Sequence, residues 1–143
     1  MNTHAPTSRT IHVGDVLPGK PGPDISIERI RMVMDVMDDV NPVHIDEALV
    51  KRMGLRGLVN QGPSNLSYII NMLVAWTGDA DCVQRLQVRF HNLVVPGDNT
   101  IAGGSVTAVH ASTPRCTVDC DVWLRLADGT TMLAGMATVT LPK

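Results

Sequence analysis

Aromatic side chains are scarce in this chain: 3% of residues, with one Phe, one Tyr and two Trp. That scarcity removes the stacking platforms with which proteins hold single-stranded nucleic acid. The 12 Lys and Arg are scattered rather than blocked, and the net charge is only -2. No basic stripe marks a nucleic-acid partner. Long apolar runs are missing as well. The longest, Tyr68 to Trp76, is interrupted by Asn71 and falls far short of the ~20 residues a membrane helix needs. Met1 to Arg9 is polar and lacks the apolar core of a secretory signal, so the expected compartment is the cytoplasm. Three cysteines do not make a disulfide framework. Cys116 and Cys120, four apart in a strand-like run, would share a face about 13 Å apart at about 3.3 Å per residue. That is too far for a disulfide or for one metal ion, and both read as small buried hydrophobes. Neither metal-ligand spacing nor a glycine-rich nucleotide loop is present, so no metal and no cofactor is expected.

What is there is an ordinary globular composition, 44% apolar over 143 residues, enough for one domain with a genuine core. Residues 1–9 read as a flexible tail on a single domain spanning 1–143. A short apolar stretch, Ile11 to Val16, precedes a Gly/Pro-rich turn from Pro18 to Pro23. Ser26 is placed to cap a helix whose apolar positions Ile27, Ile30, Val33, Met34 and Met37 recur at threes and fours. Pro42 is expected to end it. Asp46 to Met53 predicts a second short helix, closed by Gly54. Gly62-Pro63 opens a third, which is apolar nearly all round and therefore expected to be buried.

From Leu86 onward the pattern alternates. Leu86, Val88 and Phe90 interleave with polar residues, as do Cys116, Val118, Cys120, Val122, Leu124 and Leu126. Pro96-Gly97-Asp98 and Asp128-Gly129 punctuate the run as turns. Between them Thr100 to Ala111 predicts a strand with a bulge at Gly103-Gly104, and Met132 to Leu141 a closing strand. One buried helix and a run of antiparallel strands make an α+β layout in which the sheet wraps the helix.

Asp38 and Asp39 fall at the carboxyl end of the first helix, where the helix dipole opposes negative charge by about 0.3–1 kcal/mol each. A placement that costs stability is where functional groups tend to sit; the plain alternative is that both simply face water. His44 follows five positions after Asp39, across Pro42. Gly62 heads the buried helix, either because a tight turn requires it or because its N–H is wanted by a ligand.

The run Asp39-Val40-Asn41-Pro42-Val43-His44, then a short helix ending at Gly54, then Gly62, resembles the MaoC-like hydratases, the (R)-specific 2-enoyl-CoA hydratases and dehydratases of hotdog fold. Val88-Arg89-Phe90 and Val94-Val95-Pro96-Gly97-Asp98 resemble the same family's strand and turn, and the likeness runs from about Val13 to Leu141. It implies a single hotdog domain and a catalytic dyad of Asp39 and His44, one taking a proton from water while the other gives one to carbon. Asp39 is the expected base and His44 the expected donor, with the reverse left open. Asn41 and Pro42 would set the turn that aims His44. The resemblance also implies that the Gly62 N–H serves the developing enolate oxygen, and that coenzyme A enters only as part of an acyl-CoA substrate.

There is a departure. Where the family has Ala-His-Gly and then an apolar residue, this chain has Asn60-Gln61-Gly62-Pro63-Ser64-Asn65. Gln61 and Ser64 either hydrogen-bond the thioester or satisfy the loop. With Trp76-Thr77-Gly78, this entry bears a lesser resemblance to small hydratase subunits of steroid side-chain degradation.

Two rivals stand beside the hydratase. A hotdog thioesterase usually carries a carboxylate on its buried helix, and no Asp or Glu lies between Gly62 and Thr77. A non-enzymatic partner subunit that binds acyl thioesters is the other. The fold implies a homodimer with a continuous sheet, possible also within a hetero-oligomer. His91 and His110 read as surface or structural histidines and Asp98 as a turn residue. The methionines, Met32, Met34, Met37 and Met72 among them, read as core filler, with the lining of an adaptable acyl pocket as the alternative for some of them. Lys51, Arg89 and Arg115 are candidates for the coenzyme phosphates, with scattered surface charge as the plain alternative.

Overall fold

A computed structural model describes residues 6, 10–111 and 115–141; apart from Pro6, the expected tail at 1–9 lies outside them. Ser26 does cap the first helix, α1 (Ile27–Met37), accepting a hydrogen bond from the Arg29 N–H. A 3-10 turn (Pro42–His44) and α2 (Glu47–Arg52, capped by Asp46) lead to the long helix α3 (Gly62–Thr77). Gly78, at φ 70°, terminates α3 in the left-handed conformation that glycine tolerates. Four strands follow: β2 (Val83–Phe90), β3 (Thr100–His110), β4 (Cys116–Leu126) and β5 (Thr131–Leu141). With the two-residue strand β1 (Lys20–Pro21) they form one antiparallel sheet in the order β1-β3-β4-β5-β2. The layout is the α+β hotdog arrangement, with the sheet wrapped on α3.

Period-two burial explains why the sheet curls on the helix. Along β4, Cys116, Val118, Cys120, Val122 and Leu124 all face inward. They meet Ile69, Met72, Leu73 and Trp76 of α3 in one apolar cluster. Only Pro63, Asn71 and Ala75 of α3 are exposed. All three cysteines are free and buried; burial pushes the Cys120 thiol up to about 12, so it stays protonated and inert.

Four sequence expectations shift. The first helix is ended not by Pro42 but by Asp38, whose φ of 51° makes it the one described non-glycine residue in the left-handed region. Its N–H and that of Asp39 both return to the Met34 carbonyl. The Gly/Pro-rich turn contains β1, an edge strand where Pro21 is tolerated. The bulge in β3 falls between Val106 and Ala108, while Gly103 and Gly104 stay in register with Trp123 and Val122. Gly103 is small because the Trp123 ring lies across it: a Cβ there would come within 2.8 Å of the indole nitrogen. The methionines also divide. Met72 and Met132 are core, whereas Met32, Met37, Met53 and Met136 are exposed.

Candidate active site

Asp38 turns the chain sharply, and the motif begins at the next residue. Asp39 Oδ1 accepts the Asn41 N–H at 3.0 Å, and Asn41 Oδ1 accepts the Val43 N–H at 3.3 Å. These two short-range bonds hold the segment in successive turns, with Pro42 locked at the head of the 3-10 turn. Asn41 Oδ1 therefore helps build the turn. The result places His44 Nε2 3.1 Å from Asp39 Oδ2.

The other ring nitrogen fixes the chemistry. His44 Nδ1 lies 2.6 Å from the Val59 carbonyl, which can only accept, so Nδ1 carries hydrogen. Nε2 is then the nitrogen that faces Asp39, and its bond to that carboxylate needs one proton between them. The imidazole is buried while the carboxylate is about a quarter exposed, so the pair has a protected side and an open side. The Val59 N–H in turn donates to the Val43 carbonyl, clamping the 3-10 turn to the segment that leads into α3.

Three residues beyond Val59, Gly62 begins α3. Its N–H makes no hydrogen bond among the described residues, as the first amides of a helix do not. Its φ is not positive, so a tight turn does not explain the glycine. A Cβ there would lie 3.4 Å from the Phe90 ring, so the glycine keeps open the space between helix start and β2. Pro63 has no N–H, and the Asn65 N–H is taken by the Gln61 carbonyl. Gly62 and Ser64 thus carry the free amides at the positive end of the helix.

A family model described as a MaoC like domain matches residues 13–118. The chain belongs to the MaoC-like dehydratase family. The (R)-hydratase from A. caviae involved in PHA biosynthesis superposes with a TM-score of 0.80 at 19% identity, over 94% of this chain and 99% of that one. A MaoC-like dehydratase from Rhodospirillum rubrum gives 0.78 at 20% identity, over 93% and 94%. The ChsH1-ChsH2 complex from Mycobacterium tuberculosis gives 0.77 at 18%, over 92% and 98%. No curated protein sequence matches the chain. At these identities the likeness to the solved structures is one of fold.

The structure brings Asp39, Asn41 and His44 together, leaves the Gly62 N–H free at the start of α3, and engages or separates the others. Gln61 is fully buried and donates from Nε2 to the Ile30 carbonyl at 2.9 Å, so its side chain ties the loop to α1 instead of facing a thioester. Ser64 is half-buried, and its carbonyl accepts the Ser67 hydroxyl. Lys51 and Arg89 are exposed on separate elements, and Arg115 lies outside the elements near the start of β4. His110 pairs with Asp119 at 2.7 Å on the outer face of the sheet.

One feature escaped the sequence. Arg56 grips Asp98 with both guanidinium nitrogens, at 3.0 and 2.8 Å, and also donates to the Leu93 carbonyl. Burial raises the Asp98 carboxyl, but Arg56 and the Val95 N–H more than offset this and hold it below the usual carboxylate range. The partners are 42 residues apart, and nothing local signals them. Arg56 lines a cavity of about 530 Å³ between the β2–β3 and β4–β5 connections, but neither His44 nor Asp39 does.

Proposed function

We propose that the chain is an (R)-specific hydratase/dehydratase that adds water to a trans-2-enoyl-CoA, or a related acyl thioester, and removes it in reverse. The observation that carries this reading is the His44–Asp39 pair, with Nδ1 held by Val59 and the open side facing solvent. A water held by both groups adds its oxygen to Cβ as Asp39 takes its proton. The Nε2–H of His44 passes to Cα, and the proton on Asp39 then returns to Nε2 across the 3.1 Å gap. Meanwhile the thioester oxygen gains negative charge, which the free Gly62 N–H is suited to stabilise. No metal or separate cofactor takes part in this scheme.

The sheet supports a further part of the reading. Among the described residues β2 pairs only with β5 and leaves an open edge along its eight residues, with Phe90 half-exposed beside Gly62. A second copy joined along β2 would wall the space over the helix start. Light scattering tests this, and a monomer refutes it. The alternative of a hetero-oligomer is motivated by the ChsH1-ChsH2 complex, whose name records two different chains.

The deciding experiment follows the enoyl absorbance of crotonyl-CoA and longer homologues together with free thiol. Loss of absorbance without thiol release, giving the (R)-3-hydroxy product, is the expected result. Thiol release would make the chain a thioesterase. Binding without turnover until another chain is added would make it a partner subunit.

A further inference from the structure

We propose that a cavity of about 330 Å³, between β1, the first turn of α1 and the middle of α3, binds an oxyanion, a carboxylate or phosphate carried by the substrate. Lys20 and Arg29 line it from two sides, and no carboxylate does. Neither cation has an acidic partner among the described residues. The Arg56 cavity makes the contrast: there the guanidinium is already spent on Asp98, and Asp128 shares the wall.

A second observation points the same way. Tyr68 lines the cavity yet is only 5% exposed. Its oxygen accepts from Asn60 Nδ2 at 3.2 Å, while the same amide donates to Asn65 Oδ1 at 2.7 Å. Beside this hydroxyl, Asn60 Oδ1 is a buried acceptor with no partner among the described residues, so the Tyr68–Asn60–Asn65 cluster keeps unspent hydrogen-bonding capacity. Asn71, exposed on the next turn of α3, adds an amide donor. The Ser67 hydroxyl adds none, since it already donates to the Ser64 carbonyl. Two cations, a hydroxyl and an amide around one hollow suit an anionic oxygen group.

Its place in the fold suggests what would carry that group, and this step alone rests on the hydratase reading. Ser67 to Asn71 lie five to nine residues beyond Gly62, about 8–14 Å along the helix at 1.5 Å per residue. A thioester at Gly62 would have to span at least that distance, from the β2 edge of the sheet to its β1 edge, to place a distant part of itself in the cavity. That part is either a carboxylate at the far end of the acyl group or a phosphate of the coenzyme.

Calorimetric titration of the whole chain with glutarate and with inorganic phosphate tests the site without any turnover. Saturable binding of at least one anion is expected, weakened about tenfold or more by Arg29→Gln and by Lys20→Gln. Arg85→Gln, on exposed β2, should leave it unchanged, and matching melting temperatures should show that the variants are folded. No saturable binding to the native chain, or binding that Arg29→Gln leaves intact, overturns the proposal. Glutaryl-CoA and butyryl-CoA, both saturated, then separate the two sources. A preference for glutaryl-CoA that Arg29→Gln erases assigns the anion to the acyl end. Equal affinities that fall together assign it to the coenzyme. An absence of hydratase turnover would leave these binding results standing.

Discussion

Among the described residues two Asp–His pairs approach to about 3 Å or less, and the shorter one is not the one proposed for chemistry. His110 and Asp119 approach to 2.7 Å, against 3.1 Å for His44 and Asp39. Yet both members of the outer pair are more than a third exposed, and Asp119 spends its other oxygen on the Thr138 hydroxyl. That hydroxyl, then His110, holds the Asp119 carboxyl below its ordinary range. The pair is a link in a polar row across β3, β4 and β5, on the face away from α3. The inner pair differs in what surrounds it. Its imidazole is buried, one nitrogen is committed to a carbonyl, and a helix start with an unspent amide lies three residues from that carbonyl. Burial and a fixed tautomer, not separation, set the inner pair apart.

Substitutions at the two pairs should diverge most widely. Asp39→Asn and His44→Ala should each lower kcat/KM by about 10²–10⁴-fold with little change in melting temperature. Next comes Gly62→Ala, which keeps the N–H but sets a methyl 3.4 Å from the Phe90 ring. A loss of about tenfold is expected, with stability nearly unchanged because the backbone there is unstrained; native activity would show that the space over this amide is not used.

Smaller effects belong to stability. Asp98→Asn should cost about 1–2 kcal/mol by denaturant unfolding, since Arg56 is largely exposed and water screens much of the ion pair. Its pH dependence has a definite sign. The folded carboxyl lies below its ordinary value of 3.8, so its contribution is full above that pH and is lost as pH falls through the lower folded value. The acid limb of the stability curve should therefore be shallower in Asp98→Asn. His110→Ala should cost under about 1 kcal/mol and leave turnover unchanged.

How much of this was legible in the sequence varies by residue. The helices were readable because signals such as the Ser26 cap and the closing Gly54 act within four residues of themselves. The strands were readable because burial on one face writes period two directly into β4. The motif was readable as a spacing, but its geometry rests on Asp38 adopting a conformation more usual for glycine. Gln61 stayed open between two roles for a related reason: the partner it finds, the Ile30 carbonyl, is 31 residues away. The Gly103 position was misread as a bulge because the Trp123 ring that occupies the missing Cβ space comes from the neighbouring strand. Local chemistry is written locally; contacts between distant segments are not.

The most direct test compares His44→Ala with His110→Ala, each folded and at equal concentration, by the decay of enoyl absorbance in crotonyl-CoA or a longer enoyl-CoA. The account predicts that His110→Ala hydrates at the native rate while His44→Ala falls by at least about a hundredfold. Native activity in His44→Ala would contradict it.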